Sequence, residues 1–359
     1  GALIKLGSLP AFAFALAADR WGRRRLLLIA VIGFTVATGA TAFAPTVATF
    51  VTLQFLARLF VTVVAIVASV FIVEEFPAQA RGWGMGALTG LSTVGGGVAA
   101  LLFATIDLMP FGWRGLYLVG LLALLLLPLW ITHLPETTRF QTQQTVRTPA
   151  SRFMRGQPLF QLLRTYPGRL LVISGIVLLF NLGGDAALFY DPTYLQEAHH
   201  WQPWQVSVLN LSAGFMAVVG SMVAGRMSDN VGRKRAAAAF LLAMPLFVVG
   251  YYNASGWLLP VLWAGLLFSS VGATVILSAI SSELFPTAAR ATASGVTAVL
   301  ATLSGSLSLA VHGQLVQQAI SPWTAISGLA LLLLGTPLLI GRLPETSGRS
   351  LEEIAAQAE

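Results

Sequence analysis

An all-α bundle embedded in a membrane and built from two copies of one helical unit is what three observations on this 359-residue chain predict. Hydrophobic residues make up 56% of it and charged residues 10%, too little polar surface to cover a soluble globule. Apolar runs that can cross a bilayer, which takes about 20 helical residues, recur between turn and charge clusters. A three-part polar signature then occurs twice at almost constant separation.

The first copy reads Asp19-Arg20-Trp21-Gly22-Arg23-Arg24-Arg25, then Glu74-Glu75-Phe76-Pro77-Ala78-Gln79-Ala80-Arg81-Gly82, then Leu134-Pro135-Glu136-Thr137. The second reads Asp229-Asn230-Val231-Gly232-Arg233-Lys234-Arg235, then Glu283-Leu284-Phe285-Pro286-Thr287-Ala288-Ala289-Arg290, then Leu343-Pro344-Glu345-Thr346. Asp229 follows Asp19 by 210 positions, while Pro286 follows Pro77, Arg290 follows Arg81 and Pro344 follows Pro135 by 209 each. Chance rarely keeps such a register over three motifs, and duplicated helical bundles are the architecture of secondary transporters.

Taken in order, the first half carries spans near 2–18, 26–44, 47–72, 83–106 and 113–133. The second carries spans near 170–190, 204–226, 236–252, 257–281, 291–317 and 322–341. The span opening at Leu170 has no partner one repeat earlier, so 11 of an expected 12 transmembrane helices are read and the first helix of the first half is missing. Gly1 in place of Met agrees with an N-terminally incomplete chain; a natural eleven-helix chain is the alternative. The expected organisation is an N-terminal half over 1–133, a basic linker over 134–169, a C-terminal half over 170–342 and a tail over 343–359.

Charge placement sets the expected orientation. All of the 21 Lys and Arg residues except Lys5, Arg58 and Arg114 fall in one alternate set of loops and the tail, so by the positive-inside rule these are cytoplasmic. The formal charge of +7 therefore reads as topology rather than as nucleic-acid binding. The linker, with six Arg and one acidic residue, Glu136, reads as topology-setting charge beside the membrane, with an anionic-lipid site as the alternative. Cysteine is absent, which removes disulfides and thiolate metal sites, and no cleavable signal peptide is visible.

The Asp-Arg-x-Gly-Arg-Arg loop and its echo resemble the hallmark loop of the major facilitator superfamily. Glu74-x-x-Pro77-x-x-x-Arg81-Gly82, Glu283-x-x-Pro286-x-x-x-Arg290 and the tail Pro344-Glu345-Thr346-Ser347-Gly348-Arg349 resemble its sugar-porter and metabolite:proton symporter branches. The resemblance implies a major facilitator type, two-fold pseudo-symmetric bundle. It also implies a cytoplasmic gate of Asp19, Arg23, Glu74, Arg81 and Glu136 with Asp229, Arg233, Glu283, Arg290 and Glu345. Exposed ion pairs are worth about 0–1 kcal/mol each, so only a network of them can act as a gate. The plainer alternative is that these residues set topology and cap helix ends. The family's Gly four positions before the loop Asp is present as Gly225 and replaced by Ala15 in the first copy.

Within the apolar spans the ionisable residues are Lys5, Arg58, Asp185 and, near an outer end, His312. A charge in a bilayer costs several kcal/mol, so such residues face water or a partner. Arg58 is mid-span, and the resemblance implies proton-coupled transport for an Arg there; a structural Arg bonded to carbonyls is the alternative. Asp185 follows Gly183 and Gly184, with Asn181 one turn earlier on the same face, and paired glycines can loosen a membrane helix. Asp185 is then a proton carrier, a solute contact or part of an interhelical network. Asn210 and Trp263 are further candidates to line a cavity. His199 and His200 beside Trp201 and Trp204 read as an interfacial anchor.

No spacing suggests a metal site, no loop suggests a nucleotide, and no nucleophile, base and acid fall together, so cofactor, metal and enzymatic chemistry are not expected. The expectation is a monomeric secondary transporter of the inner membrane of a bacterium, its partners a small organic solute, protons and the lipid bilayer, with no nucleic acid. An organic acid leads as the solute. A sugar transporter, or a non-transporting sensor on the same fold, is the alternative.

Overall fold

Helix starts in this chain are marked by residues that cannot extend a preceding helix or that satisfy its first N–H groups. Pro167, Pro203 and Pro322 each open a helix, where a missing N–H costs nothing. Thr46 accepts a hydrogen bond from the Thr49 N–H at 3.1 Å, and Gln202 and Gln205 bond reciprocally as a capping box. The computed structural model describes residues 1–11, 14, 22–76, 81–137, 164–285 and 287–346, and the chain divides into two compact units between Ser151 and Arg152. Asp19 and Ala15 lie outside the described residues, as do the side chains of Arg81 and Arg290.

The first unit contains α1 (Ala2–Leu6), α2 (Arg23–Thr41), α3 (Val47–Glu75), α4 (Arg81–Ala104), α5 (Trp113–Val119) and α6 (Leu127–His133), the last two joined by a 3-10 segment, Gly120–Leu126. Its core lies where α2 meets α3 and includes Leu26, Ala30, Leu59, Val63 and Val67. The Gln54 amide donates to Thr41 Oγ1 at 3.0 Å between the same two helices.

The second unit contains α7 (Pro167–Phe189), α8 (Asp191–His199), α9 (Pro203–Val231), α10 (Arg233–Tyr251), α11 (Leu258–Glu283), α12 (Thr287–Gln317), α13 (Pro322–Ala330), a 3-10 segment Leu331–Gly335, and α14 (Thr336–Gly341). Helix α9 lies along α11, α7 along α12, and α10 along α11. Membrane helices gain no hydrophobic energy by leaving lipid for each other, so close contact of small residues must hold them. Gly220 of α9 supplies such a contact: a Cβ there would stand 2.5 Å from the Phe268 carbonyl oxygen of α11.

Nine helices among the described residues are long and apolar enough to cross a membrane, and shorter apolar helices at Ala2–Ala11 and Gly90–Ala104 fall within two further expected spans. Large apolar side chains such as Leu171, Phe215, Leu246 and Leu338 stand exposed, as suits a surface solvated by lipid rather than water. Helix α7 runs unbroken through Gly183 and Gly184. These glycines do not loosen it: they admit neighbours, for a Cβ would meet Leu333 Cγ at 2.8 Å and Met244 Cε at 2.5 Å. The break comes later, at Tyr190.

Candidate functional site

The duplicated motifs fold into the same construction in each unit. In the second, Gly232 turns the chain with φ +101° into the first residue of α10, a backbone region few side chains tolerate. Glu345 Oε1 accepts the Arg233 N–H at 2.8 Å and its Oε2 the Lys234 N–H at 3.3 Å, so a carboxylate caps the positive end of α10. The Arg233 guanidinium pairs with Asp229 at 2.7 Å and Glu283 at 3.1 Å, and Thr346 Oγ1 donates to Glu283 at 2.6 Å. Arg233 also donates to Ser228 Oγ. The first unit repeats the plan. Glu136 Oε1 accepts the Arg23 and Arg24 N–H groups at 2.9 and 3.1 Å, and Arg23 pairs with Glu74 at 3.1 Å.

Outer contacts match as well. Lys234 Nζ donates to the Gly341 carbonyl at 2.9 Å, and Arg24 donates to the Ile131 carbonyl. One contact differs: Glu74 Oε2 and Thr137 Oγ1, the counterparts of the bonded Glu283 and Thr346 atoms, are buried without a hydrogen-bond partner among the described residues. The first described cluster thus ties α2 and α3 to the segment after α6, and the second ties α9, α10 and α11 to the segment after α14. Sequence reasoning found the ionic members and missed Ser228 and Thr346, although Thr follows Pro-Glu in both copies of the motif.

The mid-span candidates are arranged differently. Arg58 lies mid-way along α3 with its side chain exposed, making no side-chain hydrogen bond or ion pair among the described residues. On α7, Gly183, Gly184, Ala186 and Ala187 are buried, and the Ala186 N–H meets Ser308 Oγ of α12 at 3.2 Å. Asn181 and Asp185 stand on the less buried face, with the Asn181 amide donating to the Val177 carbonyl at 2.8 Å. Ser304 and Ser306 of α12 are buried and bond back to their own helix.

Asn210 and Trp263 do come together, at the end of the unit remote from Arg233. The Trp263 indole N–H donates to Asn210 Oδ1 at 3.0 Å, and Asn210 Nδ2 donates to Asp191 Oδ2 at 3.0 Å. Tyr251 OH donates to the other oxygen of Asp191 at 2.5 Å. Asp191 is 1% exposed and lies just past the span Pro167–Phe189. Burial pushes its carboxyl up to about 6, against the opposing pull of the bonds from Tyr251 and Asn210. Sequence reasoning ended a span near 190 and did not single out Asp191, although Asp-Pro can mark a helix start, as it does here.

A polytopic helical membrane protein with a duplicated polar signature is the class these features define. The sequence family model of the Major Facilitator Superfamily matches residues 6–309 and 192–356, and the chain belongs to that superfamily of transporters. It is 24% identical to the glucose transporter GlcP of Staphylococcus epidermidis, over 94% of this chain and 82% of that one. It is 26% identical to the cis,cis-muconate transport protein of Acinetobacter baylyi, over 78% of this chain and 68% of that one. A crystal structure of a D-xylose-proton symporter superposes with a TM-score of 0.76 at 17% identity, over 97% of this chain and 88% of that one. The chain is an integral membrane transporter of small organic solutes.

Proposed function

We propose that the protein moves an organic acid or a related small metabolite across a bacterial inner membrane by alternating access, in symport with protons and as a monomer. Arg58 carries this reading. An exposed guanidinium in the middle of an apolar helix is several kcal/mol too costly against lipid, which favours a water-filled path for its face of α3. There its planar fork suits a carboxylate on the solute. Asp185, on the less buried face of α7 with Asn181, is the proton carrier or a solute contact. The similarity to a muconate carrier, which handles a dicarboxylate, agrees with this chemistry.

The Arg-rich ends, with linker and tail, lie in the cytoplasm under this reading. The clusters of Arg23, Glu74 and Glu136 and of Asp229, Arg233, Glu283 and Glu345, extended by Asp19, Arg81 and Arg290, form the cytoplasmic gate. A sugar as solute is the second reading, favoured by the similarity to a glucose carrier and to a D-xylose-proton symporter.

The test is proton movement in proteoliposomes across a panel of aliphatic acids, aromatic acids and sugars. Acids are expected to trigger proton flux, and Arg58→Lys, which keeps the charge and loses the fork, is expected to slow acid uptake at least tenfold. Unimpaired acid uptake in that variant overturns the role of Arg58. Flux with sugars alone establishes the second reading.

A further inference from the structure

The break after α7 has a chemical cause. Pro192 has no N–H to give the Leu188 carbonyl, which removes a helical bond at this point, and Tyr190 sits between α7 and α8 at φ −94°, ψ 5°. The carbonyls near the break find side chains instead: Tyr252 OH donates to the Ala187 carbonyl at 2.5 Å. Helix α8 is therefore a nine-residue segment joined to α7 through one non-helical residue, and it is held down by side-chain bonds.

Those bonds centre on Asp191. One carboxylate oxygen holds the segment to α10 through Tyr251, the other to α9 through Asn210, and Asn210 extends the chain to Trp263 of α11. Further along α8, Tyr194 OH donates to the carbonyls of Tyr251 and Ala254 at 3.1 and 3.3 Å. The titratable groups at this end of the unit are Tyr194, Glu197 and His199 on α8, His200 just past it, Tyr251 at the end of α10, Tyr252 just beyond it, and His312 of α12, whose ring lies 4.3 Å from that of Tyr190. From α13 the neighbour is Trp323, with its ring 4.9 Å from Tyr194. Among the described residues no cation pairs with Asp191.

We propose that Asp191 is a proton-binding site through which the pH at that end of the protein controls whether α8 is seated on α9 and α10 or lifted from them. An ionised carboxylate pays a desolvation penalty when it is seated, and a protonated one does not, while both states keep hydrogen-bond partners in Tyr251 and Asn210. A seated Asp191 holds its proton up to about pH 6, whereas an exposed one loses it near 3.8. Seating is therefore strongest below pH 3.8, weakens as pH rises to about 6, and is constant above that. The gap allows on the order of a hundredfold change in the seating equilibrium.

These 359 residues contain no cysteine, so a direct test is open in nanodiscs, with any cysteine elsewhere in the full-length protein replaced by serine. Spin labels on Ala198→Cys and Ser255→Cys, both exposed, report the distance from α8 to the α10–α11 turn by pulsed electron paramagnetic resonance. Tyr194→Phe, which weakens seating without touching the carboxyl, brings the lifted population into range. The lifted fraction is expected to grow between pH 4 and pH 6, and Asp191→Asn is expected to abolish the pH dependence. His199→Gln controls for the nearby imidazole, whose pKa burial and the neighbouring His200 lower from the ordinary histidine value, and is expected to leave the profile in place. Tyr251→Phe removes a donor to the ionised carboxylate and is expected to move the transition to higher pH. A pH-independent distance distribution in the Tyr194→Phe background, or a transition that survives Asp191→Asn or vanishes in His199→Gln, overturns the proposal. Should Asp191→Asn not fold, an unmoved transition in Tyr251→Phe overturns it equally.

Discussion

Two carboxylates 209 positions apart, Glu136 and Glu345, do the same work at the smallest scale. Each takes two successive backbone N–H groups at the start of a helix that opens with a glycine at positive φ. Such a cap offsets the unmet donors and the positive end of the helix together. Removing it, as in Glu345→Ala or Glu136→Ala, is expected to lower stability by about 1 kcal/mol, within the range for helix caps; thermal unfolding in detergent measures this, with Gln at the same site recovering part of the loss. Gly232 is fixed by the same arrangement. A Cβ there would approach Glu345 Oε2 to 3.0 Å, so glycine serves both the turn and the room for the carboxylate.

Among elements, the contact between α9 and α11 rests on backbone approach. Gly220→Leu is expected to prise these helices apart and cost about 1–3 kcal/mol through overpacking. Gly214→Leu on the same helix, where a Cβ would meet nothing within 4 Å, is expected to be tolerated; yield and thermal stability of the two variants in detergent distinguish them. Element positions were largely legible from sequence, because a bilayer demands long apolar runs and the repeat fixes their register. The conformation at Gly183-Gly184 was not. A glycine pair that loosens a helix and one that admits Leu333 and Met244 read identically until the neighbours are known. Asp191 was hidden for a related reason: its partners Asn210 and Tyr251 lie 19 and 60 residues away in the chain, and no local pattern links them. The ionic clusters were legible because their members recur, whereas Thr346 and Ser228, being neutral, drew no notice until their hydroxyls were seen beside Glu283 and Arg233.

For the whole molecule, the asymmetric placement of Lys and Arg makes a topological prediction. Single cysteines at Asn230 and Ala198, both exposed, are expected to react with a membrane-impermeant thiol reagent from opposite sides, Asn230→Cys only from the cytoplasm. Labelling of both from one side would contradict the orientation. Helix α7 separates the two levels, since its 23 residues span about 34 Å. The paired clusters also give experimenters an internal replicate. Any substitution at Arg233, Glu283 or Glu345 can be repeated at Arg23, Glu74 or Glu136 in nearly the same setting, within one polypeptide and one preparation. Where twin substitutions alter folding alike yet alter turnover unequally, the inequality isolates what one half contributes to the transport cycle beyond holding itself together.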